Sequence, residues 1–336
     1  MGGDNAPNMV LRGANIASKR LPNVRYLLYG DERRLKPLLE RLPKLRERSE
    51  IRHTEDVVSN DVKPSVALRQ GRQSSMRLAI EAVREGHAAG VVSAGNTGAL
   101  MAMAKISLKT LPGIDRPAIA SYYPTLRGES VMLDLGANVE CDANNLVQFA
   151  LMGEVFARTV LGCQQPTVGL LNVGAEEMKG HEELRVAAAM LRATSLPIKF
   201  HGFVEGDDIT AGTVDVVVTD GFTGNVALKT AEGTAKLYAE FLRGAFRSSW
   251  LARIGYLFAR HALQKVRNRT DPRRYNGAIL IGLNGIVVKS HGGTDAIGFA
   301  NAIGVAADMA ANGFNEKIRA ELERLATGVS PKAAAV

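Results

Sequence analysis

One unit recurs along this chain and restricts its fold more than any other feature. It is a short β-branched apolar run, a polar turn containing Gly, then a helical pattern. Val91-Val92 leads into Ser93-Ala94-Gly95-Asn96-Thr97-Gly98 and a helix-like stretch from Ala99 to Lys105. Val131–Leu133 leads into Asp134-Leu135-Gly136-Ala137-Asn138. Val168–Leu171 leads into a turn from Asn172 to Gly180, then a helical pattern over Glu182–Arg192. Val214–Val218 leads into Thr219–Asn225 and a long helix from about Val226. Ala278–Leu283 and Ile286–Val288 precede Lys289-Ser290-His291-Gly292-Gly293. Strands that are apolar on both faces and alternate with helices predict an α/β fold, a parallel or mixed sheet covered on both faces. Ligands in such sheets sit beyond the carboxyl ends of the strands. All five turns are therefore expected at that one edge, within a single catalytic domain spanning 1–336.

Composition removes several function classes. Two cysteines, Cys141 and Cys163, supply neither a disulfide framework nor a CxxC site, which points to a reducing compartment. Cys163 reads as a structural thiol. No apolar run is long enough for a membrane-spanning helix. No basic segment leads an apolar one at the N-terminus, and Ala6 stands where a myristoylation signal needs Ser or Thr. A cytoplasmic protein is expected.

The turns suit an anionic ligand. Gly lets backbone approach closely, and helix N-termini present unpaired N–H groups. Ser93, Asn96, Thr97, Asn138, Asn172 and Asn225 add neutral hydrogen-bonding groups, while Lys179, Lys289 and His291 add positive ones. Each turn alone also reads as helix capping; five together favour a phosphate pocket. Familiar motifs fail: Asn96 replaces the lysine of a phosphate loop, and Arg185 stands where a zinc helix needs its second histidine. No strand carries a dinucleotide fingerprint and no Ser elbow is present. With no nucleophile, metal or cofactor indicated, direct attack by a bound anion is the simplest chemistry.

The net charge of +8 is local. Between Arg243 and Arg274 lie nine basic residues and one acid, so the remainder of the chain is neutral. The same region is rich in aromatics, and Trp250, Leu251, Ile254, Leu257, Phe258 and His261 share one helical face, with Arg253 and Arg260 at its edge. An amphipathic basic protrusion over 237–274 follows, suited to an anionic membrane surface or a partner groove. Packing against a second copy is the other reading. Nucleic acid is not expected, because base stacking needs exposed aromatics on a groove floor rather than an aliphatic seam.

Several blocks resemble the signature blocks of the PlsX family, the bacterial acyl-ACP:phosphate acyltransferases. They are Met1–Pro7, Ser93–Ala99, Asp115–Ala118, Leu133–Asn138, Gly169–Gly180, Gly202–Asp208, Asp220–Asn225 and Lys289–Gly292, in order and with the expected spacing to about residue 325. The resemblance implies transfer of a fatty acyl group from acyl carrier protein to inorganic phosphate, giving an acyl phosphate for glycerophospholipid synthesis. It implies a three-layer α/β/α fold with a mostly parallel sheet, similar to phosphotransacetylases and isocitrate/isopropylmalate dehydrogenases, with a protruding helical pair. It also implies a homodimer, no cofactor, peripheral membrane association, and a membrane glycerol-3-phosphate acyltransferase as recipient of the product. Lys179 and Asn225 match the catalytic positions. Gly3, Asp4, Ser93, Asn96, Thr97, Gly98, Asp134, Asn138, Asn172, Glu176, Asp220, Lys289 and His291 form the expected substrate and phosphate set. Trp250, Leu251, Arg253, Ile254, Leu257, Phe258 and Arg260 form the expected membrane or carrier contact. Family members usually begin with an apolar strand ahead of the Met1-Gly2-Gly3-Asp4 turn, so a longer native chain is expected. Two other functions fit the same residues: an acyl-CoA:phosphate acyltransferase, and a non-catalytic membrane scaffold for lipid synthesis.

Charge reversal at Arg253 and Arg260 is expected to weaken binding to anionic liposomes or carrier protein in sedimentation, and to leave turnover of a short soluble thioester intact. Unchanged binding would contradict the reading of this stretch.

Overall fold

The computed structural model describes residues 1–194 and 198–327. A parallel strand pair comes first, β1 (Tyr26–Gly30) and β2 (Ser49–His53). Helix α1 (Asn8–Arg20) precedes it, and α2 (Glu32–Leu39) and α3 (Pro43–Arg46) connect its strands. Helices α4 (Pro64–Gln70) and α5 (Ser75–Arg84) lead to β3 (Gly90–Ser93). Next come α6 (Thr97–Leu108), β4 (Ala118–Pro124), β5 (Glu129–Leu133), α7 (Ala143–Val160), β6 (Thr167–Leu171), α8 (Glu182–Ala193) and β7 (Lys199–Val204). The chain continues through α9 (Gly206–Ala211), β8 (Val216–Val218), α10 (Gly221–Arg247), α11 (Trp250–Arg269) and β9 (Ala278–Ile281). It closes with β10 (Ile286–Lys289), α12 (Ala296–Ala311) and α13 (Phe314–Thr327).

Eight strands form one sheet in the order β3-β10-β9-β4-β5-β8-β6-β7. Its central strands are buried on both faces. Val131, Leu133, Val216, Val218, Ile279 and Ile281 pack toward α7, against Phe149 and Phe156. The alternate residues Met132, Val217 and Leu280 pack toward α6, against Leu100 and Met103. This two-sided burial is why the strands read as unbroken apolar runs, and it gives the expected α/β/α layering.

Four of the seven pairings in the large sheet are parallel, as expected, but the strand directions overturn the expected meeting of all five turns at one edge. The sheet is mixed: β3 and β10 are parallel, as are β5, β8, β6 and β7, but β10–β9, β9–β4 and β4–β5 are antiparallel. Three reversals in a row turn the chain around between β10 and β5. The register makes this explicit. Lys289, ending β10, pairs with Ala278, which starts β9; Ile281, ending β9, pairs with Ala118, which starts β4. The carboxyl ends of β3 and β10 thus lie at one sheet edge, and those of β5, β8 and β6 at the opposite edge. The five turns do not converge.

Helices α10 and α11 form a hairpin that leaves the body. Only Gly221 and Gly224 are buried in α10, and no residue is buried in α11. The Ser249 hydroxyl caps α11 by accepting from Ala252 N at 3.1 Å, and the rings of Phe246 and Tyr256 meet edge-on. The Arg269 guanidinium returns the hairpin to the sheet by donating to the carbonyls of Thr125 and Leu126, at 3.0 and 3.1 Å.

The β1–β2 pair stands apart from the larger sheet. A cavity of about 670 Å³ separates β1 from β3, lined by Leu27, Leu28, Val91, Val92, Phe299 and Ile303 among others. Met1 packs on Gly30 at the end of β1, and Gly2 packs on Gly95 just past β3. Both strands therefore run toward residues 1–2, parallel to each other, with unpaired edges toward the slot.

Candidate active site

Because β5, β8 and β6 are adjacent and parallel, their turns form one wall. Asp134 opens the first turn and is completely buried. Its Oδ1 accepts from Ile119 N at 2.9 Å and Ala137 N at 3.0 Å. Its Oδ2 accepts from Asn138 N at 2.7 Å and Asn138 Nδ2 at 2.9 Å. Burial raises the Asp134 pKa, and these donors oppose the rise. The remaining amide hydrogen of the Asn138 side chain goes to the Pro117 carbonyl at 2.8 Å. Asp134 was expected to touch substrate; fully enclosed, it instead builds the turn. Asn138 spends both of its side-chain N–H groups in the same way.

The second turn starts α10. Asp220 caps the helix, its carboxylate accepting from Thr223 N at 2.8 Å and Thr223 Oγ1 at 2.7 Å. Five residues on, Asn225 is exposed, and its Nδ2 donates to the Leu135 carbonyl at 3.1 Å. That bond uses one amide hydrogen. The other hydrogen and the side-chain oxygen bond no other described residue.

The third turn folds around Asn172, which is buried. Its Nδ2 donates to the Lys179 carbonyl at 3.1 Å, and its Oδ1 accepts from Val173 N at 2.9 Å. The Lys179 backbone N–H donates to the Glu176 carbonyl at 3.0 Å. The stem of Lys179 crosses Gly174 so closely that a Cβ there would lie 3.1 Å from Lys179 Cγ. Lys179 and Glu176 are both exposed, and the Lys179 amine bonds no other described residue. One edge thus presents a lysine, a tethered carboxamide and the N-terminus of a 27-residue helix, whose positive end attracts anions.

The remaining predicted residues gather at the opposite edge. Gly3 packs on Ala94, and Asp4 N donates to the Gly292 carbonyl at 3.1 Å. The Asp4 carboxylate accepts from Asn60 Nδ2 at 3.0 Å. Asn96 is engaged throughout: Nδ2 donates to the carbonyls of Ser59, Asn60 and Val62, and Oδ1 accepts from Ala99 N to cap α6. Ser93 Oγ accepts from Gly95 N at 3.2 Å, while Thr97 is exposed and Gly98 half-buried. His291 is exposed and its Nδ1 accepts from Gly293 N at 3.1 Å. Lys289 is buried, and its Nζ donates to the Ser290 carbonyl. Burial lowers its pKa to about 8, against the opposing charge of Asp4. The structure therefore divides the predicted site in two. Trp250, Leu251, Ile254, Leu257, Phe258, Arg253 and Arg260 are all exposed on α11.

Two contributors escaped the sequence reading, the Leu135 carbonyl and Gly136. Gly136 has φ +122°, and a Cβ on it would sit 3.1 Å from Asn225 Nδ2. A glycine two residues after a strand-ending Asp was the available signal.

The fold matches that of solved phosphotransacylases. A phosphotransacetylase from Streptococcus pyogenes superposes with a TM-score of 0.60 at 17% identity, covering 91% of this chain and 92% of that one. A branched-chain phosphotransacylase from Enterococcus faecalis V583 gives 0.56 at 13% identity, covering 93% and 97%. The family model described as "Fatty acid synthesis protein" matches residues 1–317. The phosphate acyltransferase of Rhodospirillum centenum is 71% identical over 97% of this chain and 92% of that protein. That of Paramagnetospirillum magneticum is 65% identical over 97% and 93%. The chain belongs to this fatty acid synthesis protein family and is an acyltransferase.

Lys289 has a consequence for stability. Below about pH 8 both folded and unfolded chains hold its proton; between there and 10.5 only the unfolded chain does. Stability gains from this residue as pH rises through that window. Lys289→Met is expected to add on the order of 1–2 kcal/mol at pH 7 and to flatten that part of the profile in urea unfolding. An identical slope in the variant would contradict the assignment.

Proposed function

We propose that the wall formed by the turns after β5, β8 and β6 transfers a fatty acyl group from acyl carrier protein to inorganic phosphate. The observation that carries this reading is the pairing, on adjacent turns, of a lysine whose amine bonds no other described residue with a carboxamide held by one N–H. A phosphate oxygen attacks the thioester carbonyl, the carbonyl oxygen becomes an oxyanion, and collapse breaks the C–S bond. The products are an acyl phosphate and the carrier thiol, which takes up a proton. Lys179 supplies positive charge to the phosphate or the oxyanion. Asn225 donates its second N–H to the oxyanion, a neutral donor that stays protonated at every working pH. The N-terminus of α10 adds a favourable field for the dianion.

A carrier protein is favoured over coenzyme A by the basic, aromatic hairpin, which suits an acidic protein carrying a long chain. The same surface suits an anionic membrane, with the acyl phosphate passed to a membrane glycerol-3-phosphate acyltransferase for glycerophospholipid synthesis. A homodimer in the cytoplasm, attached peripherally, is consistent with the apolar side chains that α10 and α11 leave open, including Tyr238, Phe241 and Leu257.

Acyl phosphate formation from palmitoyl-ACP and phosphate, with palmitoyl-CoA in parallel, tests the proposal. Asn225→Ala is expected to lower kcat by about 10²–10³ with little change in KM for the acyl donor, and Lys179→Ala to lower it by a comparable factor. Retained turnover in a folded Asn225→Ala protein would overturn the assignment. A preference for palmitoyl-CoA would replace the carrier protein as donor.

A further inference from the structure

Asp134 is a carboxylate with no exposure, no cation in contact among the described residues and four N–H groups aimed at it. Donors alone surround it, so a carboxylate satisfies the site and an amide does not: an Asn there would turn its NH₂ toward other N–H groups. Three of the four donors come from Ala137 and Asn138, so the turn is wrapped around the carboxylate.

That turn in turn holds the start of α10. The Leu135 carbonyl accepts from Asn225 Nδ2 at 3.1 Å, and the Asn138 carbonyl accepts from Gly221 N at 2.7 Å. Gly224 lies against the Asp134 carbonyl, where a Cβ would come within 1.9 Å of the oxygen. Helix α10 leaves the body soon afterwards, so these contacts at its first turn fix where Asn225 stands.

We propose that Asp134 is a positioning residue for the reaction, acting through the Leu135 carbonyl to aim the Asn225 amide. The inference rests on the reading of Asn225 as an oxyanion donor. Asp134 touches no substrate; it sets the path of residues 135–138, whose Leu135 and Asn138 carbonyls hold the donor and its helix. An acceptor-only group is required because the turn offers only donors.

The test is a double-mutant cycle on the full chain. It measures kcat and KM with palmitoyl-ACP and phosphate for the wild type, Asp134→Asn, Asn225→Ala and the double variant, each checked for cooperative thermal unfolding. Asp134→Asn is expected to lower kcat about tenfold or more, with KM for the acyl donor moving less than about threefold. In the Asn225→Ala background the same change is expected to cost less than about twofold, because its route of action is gone. An equal loss of kcat in both backgrounds, or no loss in either, would overturn the inference. Should Asp134→Asn not fold, Asp134→Glu takes its place in the cycle, since it keeps an acceptor-only carboxylate but displaces it by one methylene from the four donors. If Asn225→Ala alone leaves kcat unchanged, the oxyanion reading itself has failed and the positioning role falls with it. A large single effect with an additive cycle rejects the positioning role alone.

Discussion

The rest of this structure depends on the direction of its sheet. Three consecutive antiparallel pairings, β10–β9, β9–β4 and β4–β5, separate two parallel blocks that point opposite ways. Each block carries its own turns at the carboxyl ends of its strands, where backbone N–H groups and short polar side chains collect. The chain therefore presents two polar edges. One has Lys179 and Asn225 on open, exposed turns; the other has Lys289 enclosed and Asn96 fully committed to structure. Groups already spent on the fold have little left for a ligand, which is why the chemistry is assigned to the first edge.

Within that edge a buried charge does the organising. A carboxylate without a cation is costly unless every lone pair finds a donor. Asp134 meets that condition with backbone amides drawn from its own turn and from Ile119 on the neighbouring strand. These bonds hold the turn, and the turn holds the Asn225 carboxamide by one N–H, the group the proposed function uses as its donor. Preorganised neutral donors of this kind lower the barrier because they need no rearrangement when charge develops.

Much of this was legible in the sequence. Val131–Leu133 and Val216–Val218 are apolar throughout because both faces of the sheet are covered, so strand, turn and helix could be read in order. Lys179 and Asn225 stand out in the sequence through the blocks that contain them, and the structure places both on exposed turns at one edge. Strand direction was not. Ala118 meets Ile281 across 163 residues of chain, and no local pattern records that the meeting is antiparallel. The roles of Asp134 and Asn96 were illegible for a related reason: a short polar side chain in a Gly-containing turn looks the same whether it faces a ligand or the turn's own backbone. The spacing of Asp134 to the amides of Ala137 and Asn138, three and four residues on, was the one hint that its carboxylate turned inward. The hairpin was plain from its charge and aromatics, although it begins at Gly221 and so shares its first turn with the site.

The central claim is that substrate is handled at the edge bearing Lys179 and Asn225. A crystal structure with inorganic phosphate and a non-hydrolysable acyl thioester analogue tests it most directly. The account predicts phosphate within reach of the Lys179 amine and the analogue's carbonyl oxygen at hydrogen-bond distance from Asn225 Nδ2. Phosphate and thioester bound instead beside Ser93, Lys289 and His291, with the Lys179 edge empty, would contradict it.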